Sequence, residues 1–324
     1  MLDLAIQNLT SPIILCFVLG VAAALARSDL AFPEAIAKGM SLYLLFAIGF
    51  KGGAAVSTHG ADLSIGLAVA AGVVLSLAIP VLAFVLLRLL ARGVSAIDAA
   101  AVSGHYGSIS IVTFVAGGAL LAQQGLAAEG YMVAVAAAME APAIVTALWL
   151  ATRFGGAGAR IDAERWREIL LNGSIVLLLG AFAIGWATGA RGMADVAPLI
   201  DSPFRGVLCL FLLDMGLVAG RSLGQARGIV TPGVLAFGLL MPLVGGSLGL
   251  AAALALGLSA GGAATLAFLA GSASYIAVPA AMRMALPRAN PALYLTLSLG
   301  ITFPFNLTAG IPLWIALASR LVGG

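Results

Sequence analysis

The sequence predicts an all-α polytopic membrane protein of about ten transmembrane helices, arranged as two inverted five-helix repeats. Three observations carry this expectation. Of 324 residues, 62% are hydrophobic and only 9% charged, whereas a soluble domain needs roughly 25% charged residues to cover its surface. Apolar runs of about 20 residues, enough to cross ~30 Å of hydrocarbon, recur along the chain. Similar Gly- and Ser-containing strings also appear in the same order in both halves. Backbone groups in lipid must be satisfied within the segment, so the runs are helices, and no alternating pattern argues for a barrel. This composition excludes a soluble enzyme. The net charge of +3 and pI near 9.1 would suggest nucleic acid in a soluble chain; here the basic residues lie in short loops, as topology signals.

Ten spans fit the hydropathy: 11–26, 35–56, 63–91, 98–119, 127–152, 172–189, 199–222, 230–257, 262–285 and 291–320. The stretch Leu9–Ala26 ends in small residues like a signal peptide, but it lacks a basic n-region and many similar runs follow, so it reads as the first span. Cys16 and Cys209 lie in apolar runs without a partner motif and read as core residues. The longest tract between spans, 153–171, holds Arg153, Arg160, Asp162, Glu164, Arg165, Arg167 and Glu168. It is expected to carry a short amphipathic helix and to join the halves 1–160 and 172–324 through a cytoplasmic connection at 161–171.

Twelve basic residues fall after spans 1, 3, 5, 7 and 9: Arg27, Lys38, Arg88, Arg92, Arg153, Arg160, Arg165, Arg167, Arg221, Arg227, Arg283 and Arg288. Four fall on the other side: Lys51, Arg191, Arg205 and Arg320. The positive-inside rule then puts both termini outside and the central connection in the cytoplasm. An odd number of spans per half inverts the second half relative to the first. Gly49-Phe-Lys-Gly-Gly53 matches Gly216-Leu-Val-Ala-Gly220, and Ser103–Ser110 matches Ala270–Ala277, both at an offset of 167. Glu140-Ala-Pro142 matches Thr302-Phe-Pro304 at an offset of 162. Inverted repeats place the substrate near the midplane, where interrupted helices meet.

Spans 4 and 9 carry the clusters that suggest interruption, Gly104–Ser110 and Gly271–Ser274, with Pro279 just beyond the second. A proline cannot donate to the carbonyl four residues back. Both helices are expected to unwind and restart, exposing N–H groups near Ser108–Ser110 and Tyr275–Ala277 that attract an anion. This assigns Gly107, Ser108, Ile109, Ser110, Ser272, Ala273, Ser274, Tyr275, Ile276 and Ala277 to substrate. Oxygens at the same breaks suit a hard cation. The alternative is that Gly, Ala and Ser simply let helices pack closely.

Ionisable residues inside the membrane are functional candidates by default. Glu140 precedes Pro142, its counterpart Thr302 precedes Pro304, and Asn306 adds an amide oxygen one turn on. With Ser108 and Ser274 they form the expected Na⁺ ligand set; the alternative for Glu140 is a structural bond to backbone. Asp214 either serves a gate or ion path or pairs with Lys51 or Arg205. His105 either touches substrate or is a bonded structural histidine. Tyr106 and Tyr275 either wall the site or fill it. His59 and Asp62 read as solvated loop residues.

The strings Ser103-Gly-His-Tyr-Gly-Ser-Ile-Ser-Ile-Val-Thr-Phe114, Gly271-Ser-Ala-Ser-Tyr-Ile-Ala-Val-Pro-Ala-Ala-Met-Arg283 and Gly300-Ile-Thr-Phe-Pro-Phe-Asn306 resemble those of the sodium-dependent bicarbonate permeases of cyanobacteria and their bacterial relatives. The resemblance runs over essentially the whole chain. It implies an elevator fold with crossed discontinuous helices 4 and 9, a gate domain from spans 1, 2, 6 and 7, and a core domain from spans 3–5 and 8–10. It also implies homotrimers in the inner membrane, Na⁺-coupled bicarbonate uptake without another cofactor, and a small PII-like regulator docking on the cytoplasmic side. The central connection here is shorter than in photosynthetic members, which bears on the regulator more than on transport.

Other readings share parts of this frame. A cation/proton antiporter would be expected to carry paired acidic residues at the crossing, where this chain has serines. An organic-anion symporter would need a larger and more apolar pocket. An intramembrane enzyme could be imagined from Ser108 and His105, three residues apart, but no oriented third partner or metal-ligand motif accompanies them.

Overall fold

The computed structural model describes residues 10–59, 63–155, 167, 171, 173–225, 228–276 and 278–322. Among these the chain is helical, with no strand. We label the helices α1 (Pro12–Leu25), α2 (Glu34–His59), α3 (Leu63–Leu90), α4 (Ala96–Gly107), α5 (Ile111–Gln123), α6 (Met132–Ala138), α7 (Pro142–Gly155), α8 (Gly173–Ile200), α9 (Phe204–Gln225), α10 (Pro232–Ala255), α11 (Ala260–Ala270), α12 (Val278–Ala285) and α13 (Pro291–Val322).

Their starts follow from local chemistry. Ser11, Ser95, Ser110, Thr231, Ser259 and Asn290 each accept a hydrogen bond from a first-turn N–H of the helix that follows. Such caps satisfy donors that the helix cannot. Pro12, Pro232 and Pro291 occupy first-turn positions, where the missing N–H is not needed.

Seven segments are long and apolar enough to cross a membrane: Glu34–Ser57, Leu63–Leu90, Ala96–Gln123, Met132–Gly155, Val176–Ile200, Pro232–Ala255 and Pro291–Val322. They correspond to predicted spans 2, 3, 4, 5, 6, 8 and 10. Predicted span 1 falls on the 14-residue α1, span 7 on the 22-residue α9, and span 9 on the short pair α11 and α12. The chain is thus a multi-pass membrane protein. Helix α8 is broken at Gly189, where predicted span 6 was expected to end: Gly189 adopts φ 56°, ψ −143°, and a second helical stretch then runs to Ile200. That φ is one that glycine alone adopts freely. The predicted amphipathic helix and connection at 161–171 lie outside the described residues except Arg167 and Leu171, as do Asp62, Arg160, Arg227, Ala277 and Gly323.

Two helix pairs pack closely. Helix α1 lies along α9, and α2 along α8. In the first pair a Cβ on Gly20 would collide with the Leu213 carbonyl, and one on Gly216 with the Phe17 carbonyl. In the second, Gly53 abuts the Phe182 carbonyl and Gly185 the Phe50 carbonyl. Each pair is parallel, since the contact positions advance together: Phe17 and Gly216, then Val21 and Gly220; Gly49 and Leu178, then Gly53 and Trp186. Small residues at such crossings let backbones approach where apolar burial cannot drive association in lipid. Cys16 and Cys209 are free and sit on the packed helices α1 and α9.

The other helices form a second group in which α4 packs on α3 and α7, and α11 on α10 and α13. Helix α3 meets α10 between these sets. The largest buried side chains here include Tyr106, Tyr294, Phe237, Phe268 and Phe303.

Candidate functional site at the helix crossing

Two interruptions meet inside the second group. Helix α4 stops at Gly107 and α5 restarts at Ile111; α11 stops at Ala270 and α12 restarts at Val278. Each break rests on a proline-containing helix. Gly107 lies against the ring of Pro80 in α3, and Gly271 against the Pro242 carbonyl in α10. Pro279 stands in the first turn of α12, so the helix restarts there instead of running through it, and no Tyr275 carbonyl is freed by a mid-helix proline.

The breaks are bonded to each other. The Ser274 N–H donates to the His105 carbonyl at 2.7 Å, and His105 Nδ1 meets the Ser274 carbonyl at 2.6 Å. Because a carbonyl only accepts, Nδ1 carries the proton. The Ser110 N–H donates to Ser272 Oγ at 2.9 Å, and Ser272 Oγ donates to the Leu269 carbonyl at 2.7 Å. Two N–H groups expected to face an anion, those of Ser110 and Ser274, therefore join the breaks to one another. Helix α5 still presents its N-terminal end, where Ser110 Oγ accepts from the Thr113 N–H. The Ile111 and Val112 N–H groups have no protein partner among the described residues.

That end opens on a narrow cavity lined by Ser41, Leu45, Ile109, Ser110, Ile111, Glu140, Ser274, Tyr275 and Ile276. Its volume is about 10 Å³, the lower edge of what holds one water molecule. Five of the expected substrate residues (Ile109, Ser110, Ser274, Tyr275 and Ile276) thus share one wall with Glu140. Gly107, Ser108, Ser272 and Ala273 are buried beside it but do not line it. Ile276 also borders a larger vestibule of about 440 Å³, reached past Ser41, Leu42, Phe211 and Met215 and flanked by Glu34, Lys38 and Gly173. The cavity is therefore approached from the end of the molecule where the central connection enters α8.

The expected cation ligands divide into separate places. Glu140 and Ser274 stand on the cavity. Thr302 is fully engaged, donating to the Gly238 carbonyl at 2.8 Å with the Tyr106 hydroxyl 2.6 Å from its oxygen. Asn306 Nδ2 donates to the Gly271 carbonyl at 2.9 Å, while its Oδ1 is buried without a partner, as is Ser108 Oγ. Sodium favours oxygen ligands such as these, so Glu140, Ser274, Ser108 and Asn306 retain the capacity and Thr302 does not without giving up a bond.

Glu140 sits where span 5 breaks, at Met139–Ala141 between α6 and α7. Ser76 of α3 bridges this break, donating to the Met139 carbonyl at 2.8 Å and accepting from the Ala143 N–H at 3.1 Å. With those backbone groups satisfied, the Glu140 carboxylate is 4% exposed and in no ion pair among the described residues. The matching stretch of α13 does not break. Around Pro304 it widens into π-helical turns at Thr296–Thr302 and Asn306–Gly310, a distortion frequent at functional sites.

The open alternatives resolve in part. His105 is wholly buried, bonded to the second break and stacked on Tyr294 at 4.5 Å. Ser108 Oγ has no partner, so no nucleophile–base pair forms. Tyr106 braces α13 through Thr302, whereas Tyr275 walls the cavity. Lys51 pairs with Asp201 at 2.5 Å, not with Asp214. Ser41, Leu45 and Ser76 escaped the sequence reading. Ser41 could have been found as the third member of a polar row, Glu34, Lys38 and Ser41, on one face of an apolar helix.

These features define a class, that of all-helical multi-pass membrane carriers with polar groups gathered at interrupted helices. A family model for the Na⁺-dependent bicarbonate transporter superfamily matches residues 12–319, and the chain belongs to that family. It is accordingly a transporter and not an enzyme. No curated protein matches it.

Proposed function

We propose that this protein takes up bicarbonate by Na⁺ symport, binding both ions at the cavity where α5, the Ser274–Ile276 segment and Glu140 converge. The observation that carries this reading is the pairing of a helix N-terminus with an unpaired, buried carboxylate on one water-sized cavity. The helix end attracts an anion. Two like charges about 4 Å apart near a protein surface repel by about 4 kcal/mol, so a bound anion and ionised Glu140 need a cation between them. That requirement couples the two ions. The cavity as it stands holds about one water molecule, so it must widen to take both ions, and a single carboxylate on its wall argues against a proton antiporter.

For the movement we propose an elevator, with the α3–α7 and α10–α13 group sliding as a core against α1, α2, α8 and α9. Its support is the division of packing into these two groups. Two inverted repeats are supported by paired details. The Gly49–Gly53 and Gly216–Gly220 strings serve equivalent helix crossings, and Glu129 bonds the Ser259 N–H as Asp98 bonds the Asn290 N–H. Ten spans, both termini outside the inner membrane, a homotrimer and a PII-like regulator at the cytoplasmic face complete the proposal. These last features follow from charge placement and family resemblance.

Uptake of labelled bicarbonate by purified protein in liposomes tests the core claim. Uptake should rise with an inward Na⁺ gradient and collapse when K⁺ replaces Na⁺. Uptake indifferent to Na⁺, or none at all, would overturn it.

A further inference from the structure

A third cavity, of about 420 Å³, lies between the two helix groups at the opposite end of α2. Lys51 on its wall is ten residues from Ser41 on the central cavity, about 15 Å along the helix. The volume falls in the range of roughly 300–1,000 Å³ that accepts drug-sized organic molecules. Much of its wall is apolar, with Ile48, Phe114, Met132 and Val133. Such a wall offers nothing to a hydrated inorganic ion.

One end is charged, and its charges are not equally occupied. Lys51 is bound to Asp201 and lies 4.9 Å from the centre of the Phe204 ring. Glu129 Oε1 accepts from the Ser259 N–H at 2.7 Å, at the start of α11. Of the two cations on the wall, Arg205 has no carboxylate partner among the described residues; Glu129, whose Oε2 is likewise without a partner, is anchored through Oε1 at the start of α11. An apolar chamber closed at one end by an uncommitted guanidinium matches a ligand with one chain and one anionic head.

We infer that this cavity binds a single-chain amphipathic carboxylate, its head at Arg205 and its chain against Phe114 and Met132. Helix α2 and the α8–α9 turn supply one wall; α5, α6 and α11 supply the other. A bound chain bridges the two helix groups and holds them in their present relation. The inhibitory consequence rests on the elevator reading above; the binding does not.

Gly118 lines the cavity, and a Cβ added there would meet nothing within 4 Å, so Gly118→Leu starts into open space on the cavity side. Decanoate is titrated calorimetrically into the protein in lipid nanodiscs, beside decanol and acetate. Wild type should bind decanoate saturably. Arg205→Gln should weaken binding by about tenfold or more, Gly118→Leu should abolish it with an unchanged melting temperature, and decanol and acetate should bind far more weakly. Equal heats for wild type and Gly118→Leu would mean simple partitioning into lipid and overturn the site. Equal affinity for decanol would overturn the anionic head. External decanoate should also lower maximal bicarbonate uptake in wild type but not in Gly118→Leu; binding without inhibition would overturn the locking role. A preparation that binds decanoate but shows no bicarbonate uptake would refute the proposed transport and leave this site standing.

Discussion

His105 and Glu140 do opposite things with buried polarity. His105 spends its proton on the Ser274 carbonyl and so sets the shape of the second break. His105→Leu leaves that carbonyl unsatisfied, a loss of about 1–3 kcal/mol. Half-saturation by bicarbonate should rise about fivefold or more, while His105→Asn, whose amide can donate from a similar position, should recover most of the affinity. Equal defects in both variants would limit His105 to filling space. Glu140 keeps its carboxyl oxygens uncommitted, and if it holds Na⁺ as proposed, Glu140→Gln removes a charge-assisted contact worth about 1.5–3 kcal/mol. The Na⁺ concentration for half-maximal uptake should increase tenfold or more, with protein levels in the membrane unchanged. An unaltered Na⁺ dependence would return Glu140 to a structural role.

The helix pairs α1–α9 and α2–α8 are held at glycines, and two glycines of α8 make the test. Gly185 abuts the Phe50 carbonyl, whereas Gly180 has open space at its Cβ position. Gly185→Ala should lower stability by about 1–3 kcal/mol through overpacking. Gly180→Ala should raise it by about 0.5–1 kcal/mol through helix propensity. Thermal unfolding of the purified variants separates the two, and equal shifts would show that the pair is not held by close approach. The breaks permit a parallel comparison. Ser110→Leu or Ser274→Leu puts a bulky chain on the 10 Å³ cavity and should stop uptake in protein that still assembles by size exclusion. Alanine at either position should cost only about 0.5–1.5 kcal/mol, read as a modest rise in half-saturation.

Across the whole molecule, the vestibule beside Lys38 and Gly173 leads to the central cavity, and the Arg205 cavity lies at the other end of α2. Orientation then decides which faces the cytoplasm. In the proposed orientation, drawn from the twelve-to-four division of basic residues, the vestibule faces inside and both termini lie outside. A cysteine at position 323, in a background lacking Cys16 and Cys209, should react with an impermeant maleimide once the outer membrane is permeabilised. Protection until the inner membrane is opened would reverse the orientation.

The membrane class and both interruptions were legible locally, because hydropathy and clusters such as Gly104–Ser110 and Gly271–Ser274 act on their own stretch of backbone. What tertiary structure decided was which polar groups meet. His105 reaches Ser274, Ser110 reaches Ser272, and Tyr106 reaches Thr302, pairs separated by more than 160 residues. Their register depends on how helices cross, which no local pattern encodes. The same is true of Ser41 joining the cavity and Ser76 spanning the break at Glu140. Sequence alone marked where backbone would be interrupted; packing determined which of the exposed groups bond to each other and which stay available to ions, because in a low-dielectric interior most buried donors are held to an acceptor that only the tertiary arrangement brings within reach.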